Sequence, residues 1–102
     1  MATAAETQEH VTVALKTIEL MLADLPEMAG DWEHLSVDER LSWSPDWGNE
    51  MAALERLGPI FARRQLPRSA AARYRTILRK VQEALPLLNR LNLYRPLVPL
   101  DA

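Results

Sequence analysis

Between residues 11 and 25 the apolar positions Val11, Ala14, Leu15, Ile18, Met21, Leu22 and Leu25 recur every three or four residues, one stripe of an amphipathic helix. The spacing predicts a helix over Ala5 to Leu25. Pro26 is the expected stop, because proline has no amide to donate and its ring clashes with the carbonyl four residues back. Val13 and Leu20 fall on the side away from this stripe, seven residues apart and therefore stacked. The first helix thus has apolar contacts to offer on two sides, the second for another helix or another subunit.

The next periodic segment opens with Ser36-Val37-Asp38-Glu39, the pattern of a capping box, in which the serine hydroxyl accepts from the N3 amide and the glutamate reaches back to the cap amide. A short helix is predicted to begin there. Ser44-Pro45-Asp46 reads as a second start, with serine as cap, proline in the first turn and aspartate favoured by the helix dipole. Pro45 would clash with the carbonyl of Leu41 in a continuous helix, so a kink or restart is expected. Trp47, Met51, Leu54 and Leu57 continue as one stripe, and Gly58-Pro59 is expected to end or bend it. Pro67 breaks the chain again, and Ser69 is the expected cap of a last long helix with the stripe Tyr74, Ile77, Leu78, Val81, Leu85 and Leu88. Pro86 inside that pattern predicts a kink or a restart. The chain closes on Leu93-Tyr-Arg-Pro-Leu-Val-Pro-Leu100, whose prolines favour an extended segment. Such a tail, with Leu97, Val98 and Leu100, must lie on its own bundle or on a neighbour.

Together these elements predict an all-α fold: a small antiparallel bundle of three main helices, with one or two short helices and an extended proline-containing C-terminal tail. The 102 residues suit a single domain, 1–102. A chain of this size buries roughly 60 to 70% of the surface that it exposes when unfolded.

All three tryptophans, Trp32, Trp43 and Trp47, lie within residues 31–47, DWEHLSVDERLSWSPDW. Indoles supply large buried area with a single donor to satisfy, so they suit the corner where helices meet, with Trp43 and Trp47 mostly buried. A binding cleft is the alternative use, and Trp32, in the loop leaving the first helix, is part of either.

Charge changes this picture. The net of −2 conceals an acidic half, residues 1–60 with twelve Asp and Glu against three Lys and Arg, and a basic half, residues 61–102 with two against nine. The halves can neutralise each other within the chain or across a dimer, or the basic half can meet an acidic partner. Arg63, Arg64, Arg68, Arg73, Arg75, Arg79 and Lys80 form the candidate face for phosphate or for an acidic protein. Arg75 and Arg79 share one stripe of the last helix, Arg73 and Lys80 another.

The inventory for catalysis is thin. There is no cysteine, which removes thiol chemistry and thiolate metal sites, and the two histidines, His10 and His34, stand in separate segments outside any metal-binding spacing. Asp24, Glu27, Asp31, Glu33 and His34, or Glu6, Glu9 and His10, could assemble a carboxylate-rich site if they packed together, but acidic residues near helix ends are ordinarily solvated. The glycines Gly30, Gly48 and Gly58 are too dispersed for a phosphate loop. The residues therefore predict no catalytic site, no metal and no cofactor. The first residues, MATAAETQEHVTVALK, have neither the basic start nor the apolar run of a signal peptide or anchor, so a cytoplasmic protein without a membrane role is expected.

The expected role is a non-catalytic helical interaction or assembly module, a homo-oligomer or a protein that docks on a protein partner. Val13, Leu20, Trp32, Trp43, Trp47, Leu97, Val98 and Leu100 are its candidate interface. The alternative is a small nucleic-acid-binding or regulatory protein using the arginine face, and a third reading is a bundle that binds a ligand or metal.

Overall fold

The computed structural model describes residues 4–98, with side chains from residue 9 onward. Leu100 of the expected interface lies outside the described residues. Three α-helices are joined by short connections: α1 (Ala4–Asp31), α2 (Val37–Ala62) and α3 (Arg68–Leu91), with a single 3-10 turn, Trp32–His34, between the first two. No strand occurs among the described residues, and the chain is the all-α three-helix bundle that the apolar periodicity predicts.

The helices run up, down and up. The start of α2 meets the end of α1 through Trp32 and Trp43, whereas Arg73 of α3 pairs with Glu19 of α1, one helix alongside the other in the same direction. Both α2 and α3 pack along α1. The longest dimension is 44 Å, about the length of a 28-residue helix at 1.5 Å per residue. The expected stripes form the core: Val11, Leu15, Ile18, Leu22 and Leu25 from α1, Trp47, Met51, Leu54 and Leu57 from α2, and Tyr74, Ile77, Leu78, Val81 and Leu88 from α3 are buried. Leu85 is partly buried, as are Ala14 and Met21.

Proline punctuates less than expected. Pro26 does not stop α1, which continues to Asp31. Pro45 does not divide the second segment: Val37–Ala62 is one helix, Ser44 is an interior residue, and the predicted second start is absent. Gly58-Pro59 does not end α2 either, and Pro86 lies within α3 without a restart. All four rings share one circumstance, since Pro26, Pro45, Pro59 and Pro86 are exposed. On the solvent side, water can satisfy the carbonyl that proline leaves unpaired, and the buried stripes on the other side hold the helix together across the break. Ser69 is likewise not a cap, because α3 begins at Arg68 with Pro67 as its N-cap and no side-chain cap bond.

The capping box at the start of α2 is present as read. Glu39 N donates to Ser36 Oγ at 3.1 Å, and Ser36 N donates to Glu39 Oε1 at 3.3 Å. Helices α2 and α3 end alike. Gln65 N donates to Ile60 O and Leu93 N to Leu88 O, each closing a Schellman turn around a left-handed residue, Arg64 (φ 58°) and Asn92 (φ 57°).

Residues 93–98 leave α3 without regular structure and return along α2. Leu93 and Pro96 are buried, and Val98 packs on the core beside Gly58. Described tail residues therefore lie on their own bundle. The side chains of Tyr94, Arg95 and Leu97 are exposed, Leu97 the most among the apolar ones at 82%.

Candidate interaction surfaces

The tryptophans form a ladder across the α1–α2 corner. Trp32 meets Trp43 edge-on with ring centres 6.4 Å apart and planes at 76°, and Trp43 stacks on Trp47 at 5.6 Å and 19°. Trp47 is fully buried, and its Nε1 donates to Tyr94 O at 2.9 Å. Trp43 is mostly buried, as expected, with one face stacked on Trp47 and Trp32 packed against it. Arg40 closes the outer end, donating through Nε to Trp32 O at 2.8 Å with its guanidinium carbon 5.6 Å from the Trp32 ring. Each indole thus covers the next and the innermost anchors the tail. Trp32 also lines a depression of about 380 Å³ with Ala29, Gly30, Glu33, Arg90 and Leu91.

Glu55 holds the tail from the other side. Its carboxylate accepts from the Tyr94 hydroxyl and from Leu97 N, the latter at 2.8 Å. These two bonds hold the Glu55 carboxyl below its ordinary value, and the same contact pushes the Tyr94 phenol up. Nothing in the sequence pattern points to Glu55; a carboxylate on α2 finds its partners through a tail that follows about forty residues later.

Val13 and Leu20 are exposed, at 59% and 57%, on the outer side of α1 as their spacing requires. Val13 also lines a groove of about 630 Å³ between α1 and α2 with His10, Thr17 and Glu50. Burial there raises the Glu50 carboxyl above its ordinary value, and repulsion by Asp46 adds to this while Arg56 opposes it. A second exposed apolar pair was not singled out by the sequence: Val37 and Leu41, at 68% and 65%, one turn apart at the start of α2. The i, i+4 spacing was visible, but the expected break at Pro45 hid that these residues continue a long helix.

The basic residues are dispersed over two surfaces. Arg73 turns inward and pairs with Glu19, with a second contact from Arg73 Nε to Glu19 Oε2 at 3.4 Å. Arg63, Arg64, Arg68, Arg75, Arg79 and Lys80 are exposed. Arg75 lies over Phe61, 5.2 Å from the ring centre, and Phe61 in turn packs on Tyr74 at 4.6 Å. Here a groove of about 660 Å³ opens at the α2–α3 corner, lined by Phe61, Leu66, Arg64, Arg68 and Arg75 with Ala62 and Ala71.

Among the described residues no three His, Asp or Glu side chains converge in a way that would hold a metal ion, and no helix is long and apolar enough to cross a membrane. Compared with known proteins, the chain matches no family model, no curated sequence and no solved structure.

Proposed function

We propose that this chain is a non-catalytic helical interaction module, acting in the cytoplasm, which docks on protein, either another copy of itself or a partner with an acidic and apolar surface. What carries the reading is that folding leaves the two charge halves largely unneutralised. Among the described residues one ion pair, Arg73–Glu19, joins them, and eight other cations of the basic half stay exposed. Exposed apolar side chains accompany the charge, Val13 and Leu20 on α1, Val37 and Leu41 on α2, and Leu97 on the tail. Single exposed leucines need no explanation, but apolar pairs on one helix face beside segregated charge are the composition of a protein-binding surface.

Sedimentation of the full chain over a range of concentration and salt, and titration with a fluorescent peptide that mixes glutamates with leucine and valine, test this. Salt-sensitive self-association or peptide binding is expected. Replacing Arg73, Arg75, Arg79 and Lys80 together with glutamine should weaken it, since contacts between exposed charges are screened over about 8 Å at physiological salt. Binding neither to itself nor to the peptide, with tight salt-dependent binding to a mixed-sequence oligonucleotide, overturns the reading. Arg75 and Arg79, one turn apart and exposed on α3, would then be phosphate contacts of a small nucleic-acid-binding protein.

A further inference from the structure

Three local preferences are broken together at the α2–α3 corner. Arg64 occupies a left-handed position that favours glycine or asparagine. Arg68 places a positive charge at the first position of α3, the end of a helix that repels it. That helix start also has no side-chain cap and no acidic residue in its first turn. The same chain handles equivalent positions conventionally elsewhere, with Asn92 at the left-handed end of α3 and a full capping box on α2. The last two departures, with the guanidinium that Arg64 brings, make the isolated corner electropositive, and a carboxylate seated in the groove would offset that charge, though not the backbone strain at Arg64. The groove floor is apolar, Phe61 and Leu66, so its occupant must present apolar side chains beside its carboxylates.

The other end of the molecule has that composition. Residues 31–41 carry four carboxylates, Asp31, Glu33, Asp38 and Glu39, against one arginine, Arg40, which is turned onto Trp32. Val37 and Leu41 stand exposed among them on one face. The corner segment 62–75 carries five arginines and no carboxylate. Helix α2, 26 residues or about 39 Å long, separates the two patches, so they cannot meet within one copy.

We propose that the α2–α3 corner groove receives the Val37-Asp38-Leu41 end of a second copy, so that copies associate head to tail. This deepens the reading of the chain as an interaction module and rests on it. Such a contact is heterologous: each added copy leaves one groove and one acidic end free, and the assembly grows rather than closing as a two-fold dimer. The small area of a single groove makes each link weak and salt-sensitive.

The test uses two variants of the full chain whose altered side chains are exposed. One loses the groove (Arg64→Gln, Arg68→Gln, Arg75→Gln) and the other loses the acidic end (Val37→Ser, Asp38→Asn, Leu41→Ser); unchanged thermal melting verifies each fold. In sedimentation equilibrium the parent should show an average mass that rises with concentration without stopping at a dimer. Each variant alone should be monomeric. Their equimolar mixture should form a dimer and go no further, because the two ends left over are the disabled ones. If a triple variant fails to fold, Arg68→Glu and Asp38→Lys replace them, and the reversed pair should associate when mixed. A parent that stays monomeric, a parent that closes as a dimer, or variants that do not complement each other would each overturn head-to-tail association. Peptide binding by a monomeric parent would leave the broader interaction reading standing. Competition of parent self-association by inorganic phosphate but not by the acidic peptide would assign the groove to phosphate and overturn this proposal.

Discussion

Replacing Trp47 with alanine removes the innermost rung of the tryptophan ladder, and three losses follow from the contacts described above. The side chain is fully buried, so truncation leaves a cavity where an indole stood; buried Trp or Phe to Ala changes cost about 3–5 kcal/mol. The stacking partner Trp43 loses its covered face, an interaction of about 0.5–1.5 kcal/mol beyond simple burial that is already part of the truncation cost. The carbonyl of Tyr94 loses its donor. A small domain has only about 5–15 kcal/mol of stability in total, so this substitution should leave the fold marginal. The expected fall in melting temperature is about 12 °C or more, at about 4–8 °C per kcal/mol for a domain near this size. Circular dichroism on heating measures it. Trp47→Phe separates packing from hydrogen bonding, since it keeps most of the volume but has no donor for Tyr94 O, and should cost about 1–3 kcal/mol. An unchanged midpoint for the alanine variant would refute the assignment of Trp47 to the core.

Ser36→Ala should destabilise by about 1 kcal/mol through loss of the capping box, whereas Ser44→Ala, inside a continuous helix, should lie within about 0.5 kcal/mol of the parent; equal losses in urea unfolding would restore the second helix start. Arg64→Gly should stabilise the chain by about 0.5–1 kcal/mol by relieving a left-handed backbone, while weakening self-association measured at the same salt. The tail latch should depend on pH at both limbs. Glu55, held below its ordinary 4.5 by the bonds from Tyr94 and Leu97, favours docking above that value and loses the effect as acid protonates it in the folded state; Tyr94, raised above 10.0 by Glu55, favours docking below that value and loses it as the phenol ionises. The Leu97 amide resonance should report the acid limb, and Glu55→Gln should flatten it.

The sequence made the bundle legible because its buried stripes are regular: Val11 to Leu25, Trp47 to Leu57 and Tyr74 to Leu88 all point inward as their spacing demands. The stop expected at Pro26 and the second start expected at Pro45 are absent, and α2 and α3 run on through Pro59 and Pro86, for one reason. A proline's effect on a helix depends on whether water reaches the carbonyl it leaves unpaired, and that exposure depends on the tertiary packing of the opposite face. Of the candidate surfaces, Val13 and Leu20 could be read from their angular position. Val37 and Leu41 could not, since their exposure depends on how the unbroken α2 sits on α1. The arginine-lined groove was half visible: the charges were plain, but the left-handed turn that carries Arg64 to its rim has none of the glycine or asparagine that would announce it. Glu55 gave no signal, because its role exists only after the tail has folded back.

That return of the tail leaves a short segment held by few contacts. Helices are local structures that form on the microsecond scale, whereas the bond from Trp47 to Tyr94 closes a loop spanning 47 residues, a non-local contact like the Glu19–Arg73 pair. Segment 93–98 is held by one indole, one carboxylate and a few apolar contacts, so amide hydrogen exchange at Leu97 should outpace exchange within the helices. Lifting the segment would uncover Leu93 and Pro96 and leave the Trp47 donor without its acceptor. A surface beside α2 would thus be exposed whenever that segment lifts, and Glu55→Gln, by weakening its hold, should make the exchange at Leu97 faster still.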